Sequence, residues 1–474
     1  MREQYIPGSL RVLLSSFRDC FTARSFANFV LIISGWILCQ GRHTISRVIQ
    51  ASGAILEGKH HSMLYRFFSR AKWNTDVVGK VLFRLLLPRL PALIEAIVDD
   101  TLCRRSGPHV FGAGMFHDSL RSTYGKGSMS GARHFFSFGH NWVVLAIRLP
   151  LPWDRERGIA IPVLWRLYRS RCRCPQEAYR KRTELALELI ELLASWIPAD
   201  RRLSVAADAE YACKTVVRAL PPHVEFSGPV AKDAMLYEPA PSYRGLGRPR
   251  KKGCRLLSPR QWANSSIAKW RSVTISIYGK TVSVLVKSRT CLWYTVAGTR
   301  LIRIVLTRDP RGRIEDRTYF CTDSDASLEQ VLVRFSHRWL IEVCFRDAKQ
   351  HLGLEDPQNG WSKRRPGSRL QKKRPGPQPR GRRGERAILH TAPMVFVAYA
   401  ITVMWYLESP QAHGDVHARR REAPWYQTKR RPSLLDMLVS LRRAIWAGRL
   451  SENPHDCKAR RKVARRLVTP LLAA

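Results

Sequence analysis

The chain has 474 residues, 81 Lys plus Arg against 37 Asp plus Glu, and a formal net charge of +44. That surplus excludes an ordinary neutral-surfaced globule and points to a polyanionic partner, since release of condensed counterions from nucleic acid drives binding of such a chain. An anionic membrane or an rRNA-type scaffold is the other destination for this charge. With 45% hydrophobic residues and 14 Trp it is no disordered basic tail, and its length exceeds one compact core and calls for roughly two to four domains.

Residues 1–85 read as helical and as a candidate DNA-binding domain. The start, residues 1–17, is polar and charged, unlike a signal peptide. Residues 27–39 are too short an apolar run to span a bilayer. Residues 44–51 and 62–70 carry apolar residues at helical spacing around a Gly-containing stretch, either a helix-turn-helix or two packed helices.

From about residue 90 the pattern changes. Residues 92–98 form an apolar run ending in Asp99-Asp100-Thr101, a strand with acids at its end. Residues 135–149, with Trp142-Val143-Val144-Leu145-Ala146-Ile147, and residues 159–167 read as two further strands. Residues 177–196 are an amphipathic helix with Leu185, Leu189, Leu192 and Leu193 at spacings of three and four. Residues 202–207 are a short strand ending in Asp208. Strands, a helix and another strand make an α/β core over 86–235, with acids at strand ends, where open sheets present ligands.

Eleven cysteines are scattered singly apart from Cys172-Arg173-Cys174, so no zinc spacing recurs and reduced cytoplasmic thiols are expected. Residues 236–320 read as a β-rich insertion, because 273–286 and 293–306 alternate like antiparallel strands. A Gly/Pro-broken basic loop, Gly247-Arg248-Pro249-Arg250-Lys251-Lys252, precedes them. It is a surface loop or a hook for an A·T-rich minor groove.

The core resumes over 321–361 with one long helix. At about 100° per residue, Phe335, Arg338, Glu342, Arg346 and Lys349 fall within an arc of roughly 80°. The rest of the helix is mostly apolar, so a single acid among three bases forms a narrow charged stripe. Buried charge is costly unless paired or bound to something. The stripe is either a set of salt bridges, or a carboxylate for a metal beside cations for phosphates. Residues 362–386 hold eleven Lys or Arg, one acid, four Pro and four Gly, a composition that predicts a disordered basic loop. Residues 387–474 read as helical and basic. The uncharged run 391–407, with Thr391 as a cap and Pro393 in the first turn, fits a buried core helix better than a membrane span.

The series Phe335-x2-Arg338-x3-Glu342-x6-Lys349, continued by Gln350-His351-Leu352-Gly353-Leu354-Glu355-Asp356-Pro357-Gln358, resembles the tyrosine-arginine-glutamate-lysine signature of insertion-sequence DDE transposases, with Phe335 where that family usually has tyrosine. Ile97-Val98-Asp99-Asp100-Thr101 and Ala206-Ala207-Asp208-Ala209-Glu210 resemble that family's first- and second-acid strands. The likeness covers residues 60–410. It implies a ribonuclease-H-like α/β catalytic core interrupted by a β-rich insertion, with an N-terminal helical domain and a basic C-terminal region.

The resemblance also implies a metal-dependent triad of Asp100, Asp208 and Glu342, with Asp99 and Glu210 as backup acids, holding two Mg²⁺ or Mn²⁺ ions. Of the first pair, Asp100 is preferred because the family places its acid before Thr. Arg338, Arg346 and Lys349 would hold phosphates, with Arg248, Arg250 and Lys251 as further DNA contacts. Trp270 and Trp293 would either pack in the core or receive a flipped base. The expected activity is cleavage at terminal inverted repeats and strand transfer into target DNA, by a dimer in the bacterial cytoplasm, without a membrane. A catalytically inactive DNA-binding remnant or repressor is the rival from another class, and a basic structural RNA-binding protein a second.

Overall fold

Local signals in the first 85 residues build five helices, α1 (Gly8–Ser15), α2 (Ala23–Leu38), α3 (Ile45–Ser52), α4 (His61–Ser69) and α5 (Thr75–Leu86). Thr22, Thr44 and Asn74 cap α2, α3 and α5 by accepting hydrogen bonds from the backbone of Ser25, Arg47 and Asp76. Helix α3 ends where Gly53 takes φ 74°, a left-handed conformation that only glycine adopts without strain. The computed structural model describes residues 6–451, except 57, 107–109, 120, 123–133, 244, 246–247, 278, 358–380 and 409–411.

The centre of the chain alternates strands and helices: β1 (Leu93–Arg104), β2 (Gly114–His117), β3 (Phe136–Leu151), β4 (Asp154–Tyr168), α6 (Arg182–Ala194), β5 (Arg202–Ala207), α7 (Lys214–Val217) and β6 (Val224–Val230). After α8 (Pro259–Asn264) come β7 (Arg271–Ile277), β8 (Lys280–Leu292), α9 (Tyr294–Ala297), β9 (Leu301–Arg308) and β10 (Arg317–Cys321). Helices α10 (Leu328–Ser336), α11 (Trp339–Leu352), α12 (Arg382–Leu407), α13 (Ala412–Glu422) and α14 (Leu434–Ser451) follow.

The strands form one mixed ten-stranded sheet. Its heart is the order β4-β3-β1-β5-β6, in which β1, β5 and β6 run parallel and β3 and β4 return antiparallel. β10 adds to β6, and β9, β8 and β7 continue as an antiparallel meander. The expected insertion is therefore an extension of the central sheet by main-chain pairing, with a small second core of Ile275, Val286, Val305 and Val331 under α10.

The main core is continuous from Ile6 to Ile445 and joins the N-terminal helices, the sheet and the C-terminal helices. Helix α12 is its spine, with Met394, Phe396, Tyr399, Val403 and Tyr406 buried. It is long and apolar enough to cross a membrane, but 89% of its apolar window is buried inside the protein. Buried by its neighbours, it has no need of lipid.

Several expected boundaries shift. The predicted strand 273–286 is a hairpin that turns at Gly279, φ 72°. The single helix expected over 335–352 is two, jointed at His337 and Arg338, where 3₁₀-type bonds run from Leu340 N to His337 O and from Ile341 N to Arg338 O. The predicted basic loop lies largely outside the described residues, as does Gly247, but residues 382–386 open α12. Thr391 is thus interior and bonds back to the Ala387 carbonyl instead of capping, and Pro393 sits inside the helix.

Candidate active site

Strand alternation sends adjacent side chains to opposite faces, and this separates Asp99 from Asp100. Asp99 accepts a 2.8 Å bond from Arg338 Nη1. Asp100 accepts from Asn141 Nδ2 at 2.7 Å, Tyr211 Oη at 3.0 Å and Arg182 Nη1 at 3.3 Å. The pair lies inside β1, not at its end as expected. Yet the parallel pairing with β5 stops at Val98–Ala207. Asp208 leaves β5 at that level, and its Oδ1 accepts from Glu210 N at 3.0 Å. So the first two acid positions meet where the parallel ladder ends.

The third acid arrives on α11. Arg338 Nη2 donates to Glu342 Oε1 at 2.6 Å, so one guanidinium spans Asp99 and Glu342. Buried contacts clamp this helix pair to the sheet. Arg334 meets Glu225 of β6 at 2.8 Å, and His337 Nδ1 meets Glu95 Oε2 of β1 at 2.6 Å. Beyond the helix, Arg105 donates to the carbonyls of Leu354 and Glu355 at 3.1 and 2.8 Å. Burial raises Glu95, but the bond from His337 and the neighbouring charges, those of Arg148 and Arg334 among them, together hold this carboxyl below its usual range.

The acids are under electrostatic stress. Burial, with the charges of Asp100 and Asp208, pushes Asp99 up to about 8, and Arg338 only partly opposes them. Burial and Asp100 likewise raise Asp208. Burial raises Glu210 as well, against its 2.8 Å pairing with Arg182. Five carboxylates thus share two guanidiniums, those of Arg182 and Arg338.

An oxygen-only donor set with surplus negative charge suits a hard divalent cation. Asn141 Oδ1, beside Asp100 and buried without a hydrogen-bond partner among the described residues, adds another such donor. Among the described residues no three acid, His or Cys side chains converge on a common point. Arg338 holds Asp99 and Glu342 through separate nitrogens, bonding one oxygen of each carboxylate.

The family model of the DDE superfamily endonucleases matches residues 16–282. The chain belongs to this family. The match takes in Asp99, Asp100 and Asp208 and stops before Glu342. No curated protein matches the chain.

The remaining expected residues of the endonuclease differ in where they sit. Lys349 turns inward, donating to the Leu102 carbonyl at 2.7 Å and lying 3.6 Å from Glu355, so it braces β1 against α11. Arg346 is exposed and bonded to its neighbour Asp347. Arg248, Arg250 and Lys251 are exposed on a loop without regular structure. Trp293 is buried edge-on against Phe320 and packs in the core, while Trp270 lies between Lys287 and Arg308. Trp339, expected in the buried part of the helix, is 48% exposed.

Sequence reasoning missed Asn141, Arg182 and Tyr211. Asn141 had a signal, a polar residue at the head of an apolar strand. Arg182 and Tyr211 had none, since only the fold brings them to Asp100.

Proposed function

We propose that this endonuclease is an insertion-sequence transposase with a ribonuclease-H-like core, which binds terminal inverted repeats, cleaves at them and joins the freed ends to target DNA. The observation that carries the reading is Arg338 spanning Asp99 and Glu342, with Asp208 close enough for its charge to act on Asp99. The order β4-β3-β1-β5-β6 supports the core assignment, and the β7–β10 extension between the second and third acids supports the insertion.

Asp99 or Asp100, Asp208 and Glu342 would hold divalent metal, Mg²⁺ or Mn²⁺. When bound, it supplies activation of an attacking oxygen and stabilisation of the leaving one. Asn141, Tyr211 and Arg182 orient Asp100 from behind. Arg338, once released from the carboxylates, is placed to meet a phosphate. Two transposon ends must be held together, so a dimer acts on DNA in the bacterial cytoplasm.

Glu342→Gln keeps the shape of the side chain and removes its charge. Nicking and joining of DNA carrying the element's own ends, assayed with Mg²⁺, should fall by more than the roughly 10- to 100-fold that loss of an outer-shell partner costs. End binding by gel shift should stay near that of the parent. Arg338→Ala should weaken end binding through a lost phosphate contact. Parent-like cleavage by a folded Glu342→Gln protein would refute the assignment, and absence of cleavage in the parent would favour the inactive-remnant rival.

A further inference from the structure

We propose that the segment joining β4 to α6, residues 169–182, is a phosphate-binding surface for duplex DNA on the rim of the acid cluster. This rests on the nuclease reading above and extends it to a surface outside the expected contacts.

Position is the first support. The segment begins directly after Tyr168, whose ladder partner in β3 is Asn141, the donor to Asp100. It ends at Arg182, which reaches Asp100 and Glu210. Both ends are therefore tied to the acid site, and what lies between them borders it.

Charge is the second. Arg169, Arg171, Arg173, Arg180, Lys181 and Arg182 are accompanied by one acid, Glu177. Arg171 and Lys181 are exposed, and no described carboxylate forms an ion pair with either. Arg180 is exposed and donates only to the carbonyls of Glu177 and Tyr179 among its described bonds.

The arginines are also propped. Arg169 lies over Phe111 at 5.2 Å, Arg173 over Phe138 at 5.2 Å and Arg182 over Tyr168 at 5.6 Å. Stacking on a ring fixes the plane of a guanidinium and so the directions in which its N–H groups point. A phosphodiester approaching five carboxylates is repelled, and cations on the rim offset that field. An anionic membrane is the weaker occupant, because none of the exposed large apolar side chains lies within residues 169–182.

The test is equilibrium binding of a random-sequence duplex, in EDTA and across a salt series, to the parent, to R171A/R180A/K181A and to R171K/R180K. The alanine variant should lose roughly 2 to 3 from the slope of log affinity against log salt, at about 0.9 per phosphate contact. The lysine variant should keep the parent slope, and all melting temperatures should agree. Should the triple variant unfold, Lys181→Ala alone should lower the slope by about 1. A parent-like slope in folded alanine variants overturns the proposal and leaves the nuclease reading standing. A lysine variant that behaves like the alanine one also overturns it, since shape and not charge would then matter. A parent that binds no duplex overturns both.

Discussion

Asp99 and Asp100 show how much one peptide bond decides. The family resemblance favours Asp100, the residue before Thr101. In the structure Asp100 is saturated by Asn141, Tyr211 and Arg182, whereas Asp99 shares Arg338 with Glu342. Which of two adjacent acids faces the third-acid helix is set by strand phase, and phase is invisible until the strand's pairing is known. Glu342 stands in a long run of specific spacing and Asp208 in a short one that is weak by itself, and the fold brings both toward Asp99. At this scale metal binding gives a direct readout. Crowded carboxylates gain a counter-charge from Mg²⁺ only in the folded state, so the melting temperature should rise with Mg²⁺, by an amount worth about 2.7 kcal/mol at a hundred times the dissociation constant. Asp208→Ala should remove that rise. A response in this variant equal to the parent's would exclude Asp208 as a ligand.

Elements were legible where period and punctuation agreed. The strand 202–207, the hairpin of β3 and β4, and helices α3 and α4 stand close to where alternation and capping put them. Strand β6 was missed because Ser227, Gly228 and Pro229 break the apolar run, and its place is fixed by pairing with β5 and β10. The start of α12 was missed because its first turn, Arg382–Arg386, shares the composition of the basic segment before it. That helix makes an acid-sensitive joint with α4. His390 stacks on Trp73 at 3.9 Å and bonds the Phe68 carbonyl at 3.1 Å, and burial lowers its pKa to about 4. The folded protein keeps this ring neutral while the unfolded chain protonates it below about 6.5. Stability from this site is therefore complete above pH 6.5 and lost as pH falls toward 4, by on the order of 3 kcal/mol. Buried His140, lowered to about 3, acts in the same direction. Melting curves across this range should show the loss, and His390→Phe should flatten it. An unchanged pH dependence in that variant would mean the ring is already charged in the folded state.

At the scale of the whole molecule, two opposite fields must coexist. A net charge of +44 attracts DNA everywhere, while the one place where chemistry is proposed is a cluster of acids. Coulomb repulsion between those acids and a scissile phosphate has to be outweighed by cations acting from a distance and by local guanidiniums. Residues 362–380 contribute eight bases and no acid to the net charge, and they lie between the third-acid helix and α12 in sequence. Deleting 362–380 and leaving α12 intact from Arg382 should therefore weaken binding to random duplex. It should also make the salt dependence shallower, by at most about 7 in slope if every base meets a phosphate. Cleavage of ends already bound at low salt should persist, because none of the carboxylates, nor Arg182 or Arg338, is touched. The melting temperature should hold, since the continuous core runs through α11 and α12 on either side of the deletion. Comparing random with cognate duplex then separates attraction from recognition. A non-specific electrostatic segment lowers both affinities in proportion, whereas loss confined to cognate ends would make the segment a sequence reader.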